Sequence, residues 1–302
     1  MRRALAKAFF LMLLASPGWA DDPPEAEAAW PPPIDRFDSG KLLGTSGVSQ
    51  VEGSAGAGLT PWAVIAGYGT RDAIGAKAHY TFIGVQDFQF QSAGMALGLF
   101  DRVELSFARL SVDTMDTGAR LGLGKGYRFE QDVLGLKVRL FGDPIYDQDT
   151  LFPQVALGVQ YKMNRNAPVV RAIGAKRDRD ADFYVAATKL LLDHNLILNG
   201  TLRFTRANQV GFLGFGGDRN DDYNPQFEAS FGYLFTRQLI AGAEFRMKPD
   251  NLRFAREDHA YNIYMAYFLN KNAALTLAYV DFGDIVGRPR QNGVYASLQI
   301  GF

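Results

Sequence analysis

The chain contains no cysteine among its 302 residues and only three histidines. Without thiols, a disulfide framework, a thiolate metal site, a cysteine nucleophile and a lipid-modified N-terminal cysteine are all excluded. A surplus of charge is also missing, because 32 Lys and Arg face 32 Asp and Glu. Setting aside Arg2, Arg3 and Lys7 leaves 29 basic against 32 acidic residues, so a nucleic-acid partner gains no support. Beyond the N-terminus no stretch approaches the ~18 apolar residues of a membrane-crossing helix, and none sustains a helical period. What the chain has in quantity is glycine, 32 residues, and aromatic side chains, 13% with 23 Phe. That composition suits many short strands better than a disordered or coiled-coil chain.

The N-terminus has three parts. Arg2, Arg3 and Lys7 precede the apolar run 8–15, and Ser16-Pro17-Gly18-Trp19-Ala20 places small residues where a signal peptidase needs them. Residues 1–20 are therefore expected to be a secretory signal peptide cleaved after Ala20. From 21 to 40 the chain carries five prolines and little aliphatic content, which predicts a disordered periplasmic segment.

From residue 41 onward the dominant signal is period two. In 154–163 one face carries Val155, Leu157, Val159, Tyr161 and Met163, and the other Gln154, Ala156, Gly158, Gln160 and Lys162. Residues 196–205, 226–235 and 239–248 alternate likewise, and weaker copies bring the number of segments to thirteen. A slip near Ser92 suggests a bulge. Exported segments of about ten residues, with long aliphatic and aromatic side chains on one face and mixed charge with glycine on the other, predict an all-β transmembrane antiparallel barrel over 41–302. Only helices and closed barrels leave no unpaired amide in lipid.

Connections bear on the strand count. Tight links at 101–102, 193–195, 236–238 and 270–272 alternate with long polar stretches at 114–131, 164–181, 207–224 and 249–259, as periplasmic turns and external loops should. The link 142–151 is long for the periplasmic side. Running the last strand down into the periplasm makes Trp62–Gly69 a descending strand that needs Gly47–Ser54 as its ascending partner, which gives fourteen strands. Because Gly47–Gly53 lacks a strong apolar face, the alternative is twelve strands with 41–60 as a lumen plug.

The C-terminus, Val294-Tyr295-Ala296-Ser297-Leu298-Gln299-Ile300-Gly301-Phe302, sets alternate apolar residues before a terminal aromatic. It resembles the assembly signal of bacterial outer-membrane barrels, with Phe302 as its last residue. Beyond that signal the chain resembles an uncharacterised proteobacterial family of outer-membrane β-barrel proteins with a domain of unknown function. The resemblance is carried by Gly47-Val48-Ser49-Gln50-Val51-Glu52-Gly53 with Leu59-Thr60-Pro61-Trp62, by Gly67-Tyr68-Gly69-Thr70-Arg71-Asp72 and by Gln131-Asp132-Val133-Leu134-Gly135-Leu136-Lys137. Lys248-Pro249-Asp250-Asn251-Leu252, Phe254-Ala255-Arg256-Glu257-Asp258 and Leu275-Thr276-Leu277-Ala278-Tyr279-Val280-Asp281 extend it over nearly the whole chain from about Lys41. A more distant similarity is to barrels linked to exopolysaccharide export. The resemblance implies a Gram-negative outer-membrane location and brings no catalytic residues.

No other feature of the sequence points to catalysis, a metal or a cofactor. His79, His194 and His259 lack ligand spacing, and none stands in a recognisable nucleophile arrangement. The glycine-rich pieces 121–127 and 211–217 lack the strand-to-helix context of a phosphate loop. The acidic runs 177–182 and 218–222 read as solvated loop charge. Lys77, Glu104, Lys137, Arg139, Lys162, Arg203, Glu228, Glu244 and Arg246 are the candidate lumen-lining residues, since all lie on polar faces. As a plug, 41–60 should bring Gln50 and Glu52 to inward cations such as Lys137, Arg139 or Arg203. The expected function is a monomeric channel or transporter for small solutes, in contact with outer-membrane lipid and the barrel assembly machinery. The competing expectation is a structural or secretion-accessory barrel without channel activity.

Overall fold

The computed structural model describes Phe37 and residues 39–302 except Tyr146. The expected signal peptide and nearly all of the expected 21–40 segment lie outside the described residues. Two-residue strands β1 (Val48–Ser49) and β2 (Ala55–Gly56) form a small hairpin of their own. The wall is made by β3 (Ile74–Val85), β4 (Gln89–Leu99), β5 (Val103–Asp113), β6 (Arg128–Phe141), β7 (Gln154–Asn164) and β8 (Arg179–Leu191). It continues through β9 (Leu196–Thr205), β10 (Asn224–Leu234), β11 (Leu239–Arg246), β12 (Ala260–Phe268), β13 (Ala273–Asp281) and β14 (Asn292–Gly301). Each strand pairs antiparallel with its sequence neighbour, and β14 closes on β3 through nine residue pairs from Gly293–Val85 to Gly301–Lys77. The result is a closed antiparallel barrel of twelve strands.

The expectation of fourteen strands is therefore corrected to its twelve-strand alternative. The reason is the β14–β3 seam, which leaves no open edge for Trp62–Gly69 to join. Every residue from 44 to 69 is buried, with none of the alternation of a wall strand. The Ser92 slip is no bulge either, since β3–β4 and β4–β5 keep unbroken register through it. Phe90, which breaks the sequence pattern there, packs against Phe212 and Phe282 instead. Among the described wall strands the register shifts between Arg139 and Phe141.

The outward face follows from the period-two pattern. Ile263, Val294 and Met95 are more than 60% exposed, and Leu157, Leu202 and Leu277 stand among many half-exposed aliphatics. Aromatics flank this band, with Phe183, Phe204 and Tyr261 near the loop end and Phe141, Phe235 and Tyr267 near the short-turn end. That is the girdle arrangement of a lipid-facing barrel. Replacing Leu277, at the middle of β13, with Arg is expected to cost ~2–4 kcal/mol, and Phe235→Arg near the turn end ~0–1 kcal/mol. Denaturant unfolding of the barrel in lipid vesicles measures both, and equal costs would contradict the band.

The long link at 142–153 has a structural role. Leu190 N–H donates to the Pro144 carbonyl (2.9 Å), Gln148 bonds the Leu190 carbonyl (3.1 Å), and Ile145 is buried. The link thus folds back on the end of β8. The long loops at the other end contain the single-turn helices α1 (Met115–Arg120) and α2 (Ala167–Ala172). Phe302 joins the start and finish of the wall: its carbonyl accepts from both Tyr68 N–H and Ala76 N–H at 3.0 Å.

Candidate functional site

A barrel of about eight strands is filled by its own side chains, whereas twelve enclose more space than side chains fill. Here the surplus is taken up by residues 44–69, a plug with little secondary structure of its own. Buried backbone groups must be paired; some of the plug's pair with one another, as Gln50 N–H does with the Ser54 carbonyl (2.9 Å), and the closed wall offers no ladder to the rest. The inward side chains of the wall take that part. Glu104 accepts from Ala55 N–H (3.1 Å) and Ala66 N–H (2.9 Å), and Glu244 accepts from Leu59 N–H (3.0 Å) and Thr60 N–H (2.8 Å). Lys137 donates to the Ala55 and Val64 carbonyls at 3.0 and 2.8 Å, Lys77 to those of Ser46 and Gly47, and Arg246 to that of Leu59 at 3.1 Å. Thr188, Gln154 and Thr201 hold Ala63 and Pro61 in the same way. Close approach also demands a bare backbone at Gly98, where a Cβ would run into the Ala66 carbonyl oxygen.

At the centre Glu52, wholly buried, binds Lys162 directly, lies 2.9 Å from Arg246 and is 4.0 Å from Arg203. Asp182 joins Lys162 (2.7 Å) and Arg203 (3.3 Å), while Glu228 joins Arg203 (2.5 Å) and Arg246 (3.2 Å). Three cations thus meet three carboxylates with no surplus charge. Taking ions out of water is costly unless they are paired and fully hydrogen-bonded, and that condition is met only while Glu52 is in place. Gln50 supports Glu52 with a 2.7 Å bond and holds the Leu59 carbonyl.

All nine sequence-chosen lumen residues project inward and are buried, and eight of them lie in these contacts. Arg139 does not; it sits at the short-turn end with Asp101 and Asp143, and Asp101 also holds Lys41 (2.7 Å) just before the plug. The expected partners of Glu52 are corrected accordingly. Lys137 lies directly across the β5–β6 ladder from Glu104 and pairs with it at 3.0 Å. The close cations of Glu52 are Lys162 and Arg246, with Arg203 at the outer limit. Asp182, read from sequence as loop charge, is an inward residue of β8, and the alternation Asp182, Tyr184, Ala186, Thr188 marks it as such.

From the other end the connection 206–223 folds into the mouth. Asn164 holds the Gly211 and Phe212 carbonyls at 2.9 and 2.8 Å, and Lys162 reaches the Val210 carbonyl at 3.3 Å, so one ammonium touches both plug and loop. Burial pushes the Glu257 carboxyl in the neighbouring loop up to about 7, against the pull of the Lys248 ammonium 3.5 Å away. At the rim, hydrogen bonding from Arg288 holds the Asp87 carboxyl below its usual range.

One contact the sequence did not reveal joins His79 Nε2 to Ser92 Oγ at 3.1 Å inside the lumen. It is no activated nucleophile. Ser92 gives its own proton to the Val51 carbonyl (2.6 Å), and the described residues place no carboxylate on the far ring nitrogen to orient the imidazole. Among the described residues no cluster of His, Asp and Glu has the makings of a metal site.

A closed antiparallel barrel with an apolar outer band, two aromatic girdles and a plugged polar lumen defines an outer-membrane type of β-barrel. The chain belongs to the DUF3034 family, described as a protein of unknown function, whose model matches residues 45–299. No curated protein matches it in sequence. Among solved structures it is similar to the KdgM porin, at 10% identity over 75% of this chain and 99% of that one with a TM-score of 0.48. It is also similar to an outer-membrane channel from Pseudomonas putida F1 (10% identity, 80% and 96% covered, TM-score 0.44) and to outer membrane phospholipase A from Escherichia coli (10%, 74% and 89%, TM-score 0.41).

Proposed function

We propose that this protein is an outer-membrane channel or transporter for small solutes whose lumen is closed at rest by its own residues 44–69. The observation that carries the reading is how the plug is held. Where the plug meets the wall its backbone is held by side chains such as Glu104, Lys137 and Glu244, groups that water can replace one at a time, and not by a sheet ladder to the wall that would break as a whole. On this reading the short turns and Phe302 face the periplasm, the long loops face outside, and the barrel is monomeric in outer-membrane lipid after delivery by the assembly machinery. The inward charges have two duties: they pair with the plug when it is seated and set ion preference when it is displaced. No catalytic step and no cofactor belong to this reading. The many contacts that seat the plug against the inward side chains favour a second reading, a structural or secretion-accessory barrel that never opens.

The two are separated by locking the plug. Ala63 of the plug packs in one small cluster with Ala156 and Ala186 of the wall, and the chain has no cysteine of its own to interfere. In planar bilayers the wild type is expected to show infrequent openings. Ala63→Cys/Ala186→Cys should lose them when oxidised and regain them when reduced. Silence of the wild type and of the reduced variant under all applied voltages supports the accessory reading instead.

A further inference from the structure

Two cavities of about 60 and 130 Å³ lie side by side between the plug and the long loops. They share Phe90, Phe212, Gln209 and Ile285 in their walls. The larger reaches out to Leu121 and Phe254, both exposed at the loop end, and the smaller reaches down to Val51 and Leu59 of the plug. An apolar route thus leads from the outer surface to the plug.

The few polar groups along it are already engaged. Gln209 donates to the Asp284 carbonyl (3.1 Å) and accepts from Lys248 (3.2 Å), and its own N–H goes to Glu257 (2.7 Å). Thr114 bonds the Tyr127 carbonyl, and Arg246 is taken by Glu52 and Leu59. A sugar or a charged solute would find no free partner here and would lose its hydration without return. An apolar molecule loses nothing of the kind, and an apolar cavity of ~150 Å³ stays dry and accepts a benzene-sized guest.

The walls are also held under backbone strain. Gln209 (φ 43°), Val210 (φ 63°) and Val286 (φ 51°) all line these cavities in the left-handed region, where β-branched residues are true outliers. Strain of this kind collects at ligand clamps and switch segments.

We propose that the paired cavities form a binding site for a small, uncharged, apolar molecule about the size of one aromatic ring. As the first stop of a solute on its way to the plug, the site rests on the channel reading; as a binding site it does not.

The test uses the full-length protein in lipid nanodiscs with isoleucine methyls labelled for NMR and toluene as the probe. Ile173 and Ile285 line the site, whereas Ile263 and Ile300 face outward and are about 60% exposed. Toluene should shift the methyls of Ile173 and Ile285 saturably, and those of Ile263 and Ile300 only in the linear way of partition into lipid. Val112→Phe, and independently Val169→Phe on α2, should fill the larger cavity and remove the saturable component. Parallel changes at all four isoleucines, no shift at Ile285, or saturation unaltered in both filled variants overturns the site. Conductance of a barrel lacking the plug tests the channel reading separately. Saturable binding without conductance keeps the site and removes the route. Conductance without saturable binding removes the site and keeps the channel.

Discussion

Joining Leu43 to Gly67, which removes residues 44–66, is expected to turn a barrel closed at rest into one that conducts continuously. The join is geometrically mild, because Lys41 N–H already donates to the Tyr68 carbonyl (3.1 Å), so the chain enters and leaves the lumen at one place. The wall does not depend on the plug for its hydrogen bonds, since β3 to β14 close on themselves. Loss of Glu52 leaves Lys162, Arg203 and Arg246 facing Asp182 and Glu228, one positive charge in excess, so the open lumen should prefer anions slightly. The loop pinned by Asn164 still narrows the outer mouth, so the conductance should be that of a constricted pore. Planar-bilayer recording with heat-modifiable migration as the check on folding measures both. A folded, silent deletion variant sinks the channel reading. Failure to fold would make the plug a template for the barrel and not a gate.

Much of this arrangement is written in the sequence, and the part that is not has a definable cause. Alternation identified the wall strands, and it placed all nine chosen charges inward, because a lipid-facing charge is too costly for the pattern to be ambiguous. It could not place Trp62–Gly69, because Ala63 and Ile65 are as apolar as Trp62, Val64 and Ala66 and all five are buried, so the stretch has no polar face to tell a wall strand from a plug. Alternation records burial and not the pairing partner. The Glu104–Lys137 pair was within reach of the sequence, as the two lie directly opposite once the β5–β6 hairpin is in register. The group around Glu52 was not. Residues 52, 162, 203 and 246 come together only through the circumference of the barrel and the path of the plug inside it, and neither leaves a spacing along the chain. Asp182 was lost because charge runs resemble loops, although β8 begins in the middle of one, at Arg179.

Glu52→Ala is the point substitution expected to shift the closed state most. Truncating one partner of a buried, hydrogen-bonded ion group leaves the others uncompensated, at a cost of ~3–5 kcal/mol. Here three buried cations would be left with two carboxylates, and Gln50 would lose its 2.7 Å acceptor. The barrel wall contributes none of the lost contacts between strands, so the cost falls on the seated position of the plug. At about 1.4 kcal/mol per tenfold, the balance between seated and displaced plug should move by roughly two to three and a half decades, read as open probability in single-channel records. Glu52→Gln keeps the shape and part of the hydrogen bonding and should move it less. Pairing Glu52→Gln with Arg246→Met removes one charge of each sign and should restore much of the closed state, a coupling that a double-mutant cycle isolates. If Glu52→Ala stays as closed as the wild type while the plug-free barrel conducts, the central ion group does not hold the plug. The seating energy must then lie in the clamps made by Glu104 and Glu244, and Glu244→Gln becomes the variant that opens the barrel.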